Sequence, residues 1–182
     1  MAVTLEVEDG SGLSTANSYM TAIEADGILC LNPTAYTTWL ALSPVQKDSF
    51  LVWSSQYLDS YFDWEGHKTV KESGLRWPRC GTKDRDGCYI SDDEIPEQLK
   101  QAVAEVAVFL VNSDAAASGG QSSNLPEGIK RVKADVVEIE FFEDGSTDSQ
   151  SGTDLLPVNV GYILRGIGRI ITGRRRVGQV VR

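Results

Sequence analysis

The 182 residues include one histidine, His67, and three cysteines, Cys30, Cys80 and Cys88. That scarcity removes most metal chemistry at the outset. A structural zinc site takes four Cys or His ligands, and neither Cys-to-Cys spacing matches the C-x2-C knuckle. The chain begins MAVTLEVEDG, acidic and alternating, where a secretory signal is basic and then apolar. An odd number of thiols in such a chain reads as reduced and partly buried cysteine. No apolar run approaches the ~20 residues that span a bilayer. The expectation is a soluble protein made in a cytoplasm, with no metal, no cofactor and no membrane partner.

Catalytic signatures are missing as well. There is no G-x-S-x-G elbow and no G-x4-G-K-[ST] loop, and GYILRGIG lacks the strand-to-helix setting of a dinucleotide fingerprint. His67 has no nucleophile signature beside it. Asp92, Asp93 and Glu94 precede a helix, whose positive N-terminal end suits carboxylates. Asp84-Arg85-Asp86-Gly87 resembles the start of a calcium loop. However, Cys88, Tyr89 and Ile90 supply no side-chain oxygen, and Ile95 stands where the twelfth-position glutamate belongs. The expectation there is a tight turn between two short strands. The sequence points away from an enzyme.

The third shortage is acid at the C-terminal end. Arg165, Arg169, Arg174, Arg175, Arg176 and Arg182 fall in a stretch with no Asp or Glu, in a chain of net charge -9. Residues 1–164 are left with 11 bases against all 26 acids, a balance of -15.

What is present suffices for a core: 41% of residues are hydrophobic, near the globular average. Val3, Leu5 and Val7 alternate with polar residues, the period of a strand. Thr21 to Glu24 fits a capping box opening a helix to about Leu31, and a short helix with Tyr36, Trp39 and Leu40 follows. Ser43-Pro44-Val45-Gln46 is a second box with proline at the first helical position. Phe50, Trp53, Tyr57, Leu58 and Tyr61 then share one helical face. A stacking platform for single strands needs basic neighbours, and Asp48, Asp59, Asp63 and Glu65 stand nearby, so core packing is the reading. Pro96 opens a helix through Leu99, Val103, Val106 and Leu110, apolar most of the way round, hence central or covered by another subunit. DAAASGGQSSNLPEG and GSTDSQSGTD read as flexible stretches. Residues 131–142 read as a strand, bulged near Val136-Val137. LLPVNVGYILRGIGRII reads as a helix.

Four segments together carry a resemblance: VEDGSGLSTANSYMTAIEAD, TTWLALSPVQKDSFLVWSSQYLD, LRWPRCGTKDRDGCYISDDEIPEQLKQAVAEVA and, weakly, IKRVKADVVEIEF. They resemble a family of tailed-phage and prophage proteins labelled DnaT-like single-stranded DNA-binding proteins, and also the head–tail connector (adaptor) proteins that dock beneath the portal. The resemblance covers most of residues 7–140. It implies a twelve-subunit ring whose C-terminal arm enters the portal.

Charge weighs the two labels differently. Single-strand binding draws most of its affinity from neutralised phosphates, and a body at -15 repels them. An acidic ring lets double-stranded DNA pass without sticking. The arm from Gly173 reaches ~33 Å at ~3.3 Å per residue, with arginine suited to bidentate contact with carboxylates. The expectation is a mainly α, α+β adaptor with a small antiparallel sheet from residues 3–8 and 131–142. Its body is residues 1–142, its linker 143–154, and its C-terminal helix and arm 155–182. It joins portal to tail or nozzle protein in the virion neck and touches passing double-stranded DNA without specificity. The docking residues are Arg174, Arg175, Arg176, Val177, Val180, Val181 and Arg182. The alternative is a single-strand-binding accessory protein of phage replication.

Overall fold

Both capping boxes form. The Thr21 hydroxyl accepts from Glu24 N while Glu24 accepts from Thr21 N, and Ser43 and Gln46 exchange the same pair. Asn32 caps the helix between them, with Pro33 at its first position. These local bonds satisfy amides that a helix start leaves open, so each helix begins where the sequence says it does. The computed structural model describes residues 3–118, 131–134, 137–140 and 156–171.

Among these residues the elements are α1 (Ala22–Leu29), α2 (Pro33–Leu40), α3 (Pro44–Tyr61), β1 (Phe62–Trp64), β2 (His67–Lys68), β3 (Arg79–Cys80), α4 (Glu97–Ser118), β4 (Arg131–Ala134), β5 (Val137–Glu140), α5 (Val158–Ile163) and β6 (Gly168–Ile170). Helices carry the fold and three two-stranded antiparallel sheets are appended: β1 with β6, β2 with β3, and β4 with β5. This is the expected α+β class.

The core forms around α4. Leu99, Ala102, Val103, Ala104, Val106 and Ala107 are fully buried, while Gln101 and Glu105 mark the side of the helix that reaches the surface. They are covered by α1, α2, α3 and α5. Three of the six are alanines, so neighbouring helices come close with no side chain between them. The broad apolar pattern therefore marks a central helix within one chain. Leu156, Val160, Leu164 and Ile167 close the core from the C-terminal side.

Several expectations are corrected. Residues 3–8 form no strand; Asn17 N and Ser18 N donate to Glu6 O, and Val7 makes only an isolated bridge to Ser18. With no neighbouring strand, the alternation has nothing to pair with. The phase change near Val136 is not a bulge: it separates two strands that pair with each other, from Arg131 opposite Glu140 to Ala134 opposite Val137. The sheet expected from residues 3–8 and 131–142 is therefore absent. Helix α4 runs on to Ser118, into the stretch read as linker, because Ala115, Ala116 and Ala117 are strong helix formers. The helix expected near the C-terminal end stops at Ile163, and Gly168–Ile170 pairs with β1, Asp63 facing Arg169. Cys30 and Cys88 are exposed, with only Cys80 partly buried.

The tight turn expected at Asp84 forms, but the two short strands expected to flank it reduce to one isolated bridge. The Asp84 carboxylate accepts from Asp86 N and Cys88 N at 3.0 and 2.8 Å, and Lys83 bridges Tyr89 antiparallel. Gly10, at φ +98°, passes so close to Asp93 that a Cβ would collide with the Asp93 carbonyl.

Candidate nucleic-acid interface on the third helix

Helix α3 advances about 100° per residue. Leu51, Ser54, Ser55 and Leu58 face inward and are buried; the two serines turn their hydroxyls back to Leu51 O at 3.0 and 2.8 Å. Phe50, Trp53, Tyr57 and Tyr61 fall on the adjoining face. Phe50 and Trp53 stack at 6.0 Å between centroids, and Tyr57 and Tyr61 at 4.4 Å. Trp53 is 44% exposed, while the other three are half-buried against the edge of the core. Burial, with help from Tyr61, pushes the Tyr57 phenol up to about 12. The core-packing expectation is thus corrected in part. Small and aliphatic residues take the inward face because α4 lies close, which leaves the rings as a stacked strip along the surface.

Cations stand beside another face of α3, where Lys68 and Arg76 share a cavity with Gln56, Asp59 and Ser60. Lys68 and Arg79 are cross-strand partners in β2 and β3, and Arg76 lies just ahead of β3. Arg79 is buried and gives its hydrogen bonds to four carbonyl oxygens: Glu65 (2.6 Å), Gly66 (2.6 Å), Trp64 (3.2 Å) and Arg76 (3.2 Å). Burial and the nearby Arg76 charge lower its pKa. Lys68 donates to Ser73 O at 2.8 Å. The side-chain hydrogen bonds of Lys68 and Arg79 therefore end on carbonyls, and none of Lys68, Arg76 and Arg79 has an ion-paired carboxylate among the described residues.

The nearest acid, Asp59 on α3, is already engaged. Its oxygens accept from Tyr19 Oη (2.8 and 2.9 Å), Trp64 Nε1 (3.1 Å) and Arg76 N (3.0 Å). Burial raises its pKa to about 6 despite those donors.

A second basic group sits where the 83–89 turn meets the α5–β6 connection. Gly166, at φ +110°, lies against the Asp84-Arg85 backbone, which brings Arg85 near Arg165. Lys83 covers the Tyr89 ring at 4.6 Å, and Tyr89 and Tyr162 are 75% and 69% exposed. Asp84, Asp86 and Asp63 offset much of this charge, and Arg169 pairs with Glu65 at 3.0 Å.

The expected docking residues Arg174, Arg175, Arg176, Val177, Val180, Val181 and Arg182 lie outside the described residues. Ile171, the last described position, donates its N–H to Tyr61 O at 2.8 Å, so the basic stretch joins the body at the end of the aromatic strip. Sequence reading missed the cation cluster. RWPR carried Arg76 and Arg79 in plain view, but only the fold sets them beside α3. No group of metal-ligating side chains occurs among the described residues, and none of their helices is long and apolar enough to cross a membrane.

A family model described as "Putative DnaT-like ssDNA binding protein" matches residues 3–180. No curated protein and no solved structure matches the chain.

Proposed function

Since the chain belongs to that DnaT-like ssDNA-binding family, we propose that it is a non-catalytic protein that lays single-stranded DNA along the outer face of α3. The observation that carries this reading is the two stacked ring pairs, Phe50 with Trp53 and Tyr57 with Tyr61, on a helix whose Gln56, Asp59 and Ser60 share a cavity with Lys68 and Arg76. Bases stack on aromatic rings of any sequence context for ~1–3 kcal/mol each, and neighbouring cations neutralise the phosphates that follow. Arg174, Arg175 and Arg176 follow the described body in sequence and add positive charge. Residues 3–113 hold 17 acids against eight bases, so binding is modest and salt-sensitive.

That same acidic excess favours a second reading, the head–tail adaptor. A ring of acidic subunits lets double-stranded DNA pass, and its arginine arms dock on the portal protein with a tail or nozzle protein below. On this reading the protein works in the virion neck after synthesis in the host cytoplasm.

Fluorescence anisotropy with a labelled single-stranded oligonucleotide separates the two. Binding at low salt that falls at least tenfold in the doubly substituted Trp53→Ala, Arg76→Gln protein, with unchanged circular dichroism, supports the first reading. No binding at low salt overturns it. Electron microscopy of the chain mixed with the cognate portal then tests for an added ring.

A further inference from the structure

Between the last turns of α3 and the residues before β3 lies a cavity of about 340 Å³ lined by Gln56, Asp59, Ser60, Lys68, Arg76 and Ile171, among others. At ~30 Å³ per water it has room for roughly ten, ample for one small anion. We propose that it is a seat for a single phosphate group. The site stands on its own geometry and does not depend on a strand lying along α3.

The charge inventory argues for an anion. Three cations of this acidic body have carboxylate partners: Lys47 with Asp26 at 2.8 Å, Lys100 with Glu24 at 2.7 Å, and Arg169 with Glu65 at 3.0 Å. Lys68 and Arg76 have no ion-paired carboxylate among the described residues, and both line the cavity. Arg79 stands behind them with its donors spent on carbonyls, so it contributes charge without touching the ligand.

Asp59, the carboxylate among the described wall residues, has both oxygens engaged by Tyr19, Trp64 and the Arg76 main chain; the Arg76 charge acts on it, but the two side chains form no ion pair. Asp63 on β1 and Glu65 just after it are turned to other work: Asp63 faces Arg169 across the ladder and Glu65 pairs with it.

The donors suit a phosphate. A guanidinium offers a planar fork to two oxygens, and a lysine ammonium adds a point charge from another direction. The Gln56 amide provides a neutral donor at the rim. Arg76 and Arg79 are the two arginines of RWPR, a segment the strand-binding reading uses only in part. The seat assigns them distinct tasks, Arg76 to touch and Arg79 to brace the loop that presents it.

The test uses the full-length chain and inorganic phosphate, followed by phosphorus NMR line broadening and calorimetry, against sodium chloride of equal ionic strength. Saturable binding that drops at least tenfold in both Lys68→Gln and Arg76→Gln, with unchanged thermal midpoints, is the expected result. No effect beyond chloride, or substituted proteins that bind as the parent does, overturns the proposal. So does binding of an acidic peptide at this site where phosphate fails to bind. Paired oligonucleotides with and without a 5′-phosphate identify the source. A preference for the phosphorylated one that Lys68→Gln abolishes assigns a nucleic-acid terminus; equal binding, with free phosphate still bound, assigns the free ion. Loss of all oligonucleotide binding with free phosphate retained removes only the strand-binding reading.

Discussion

Asp59 ties four segments of chain together through its hydrogen bonds, and its environment makes those bonds depend on pH. Burial raises its pKa to about 6 from an ordinary value near 4. A raised carboxylate binds its proton more tightly in the folded chain than in the unfolded one. Its contribution to stability is therefore full below about pH 4 and lost as pH climbs to about 6. The groups around it set the size of the effect: Tyr19, itself pushed well up by burial and by Asp59, the charges of Arg76 and Arg79, and the Trp64 indole. In Asp59→Asn that dependence is expected to vanish. The stability advantage of the parent over Asp59→Asn, from urea melts at intervals between pH 4 and 6.5, should shrink as pH rises. A gap constant across that range would show that Asp59 titrates elsewhere.

At the scale of elements, α3 and α4 divide the work. Leu99 is fully buried in α4, and Leu99→Ala is expected to cost about 3 kcal/mol through lost transfer and a cavity its close-packed neighbours cannot fill. On α3, Ser43→Ala removes a hydroxyl that caps the helix and should cost about 1 kcal/mol. Chemical denaturation of the two variants checks both values and their order. These helices were largely legible in sequence because a capping box is a local bond pattern and α4's apolar surface is written along its own length. The strip on α3 was misjudged for the opposite reason. Periodicity shows that Phe50, Trp53, Tyr57 and Tyr61 share a face, but the direction of that face depends on where α4 packs, and Ser54 and Ser55 are what permit its approach.

Across the whole molecule, charge is the dominant fact. Deleting residues 173–182 removes four arginines from a chain of net charge -9. If they touch a strand, the slope of log affinity against log salt should become shallower by at most ~3, at ~0.7 for each phosphate contact. Anisotropy titrations across a salt series measure it. An unchanged slope, with strand binding intact, would leave these arginines to a protein partner, as the adaptor reading has it. Long-range placement was the least legible part of the chain. Arg76 and Arg79 were visible as a motif, yet they become a cationic cluster only because β2 pairs with β3 beside α3.

By itself the sequence determined the α+β class, the two capped helix starts at Thr21 and Ser43, the apolar character of α4 and the split between acidic body and basic end. Each of these rests on neighbours in the chain or on composition, so no tertiary contact was needed to read them. Tertiary structure alone decided that residues 3–8 are not a strand, that Gly168–Ile170 is one, and that Lys68, Arg76 and Asp59 share a cavity. A strand exists only when a second segment supplies its hydrogen bonds, and a site exists only when side chains distant in sequence meet. Both are pairings between remote parts of the chain, which local spacing does not record.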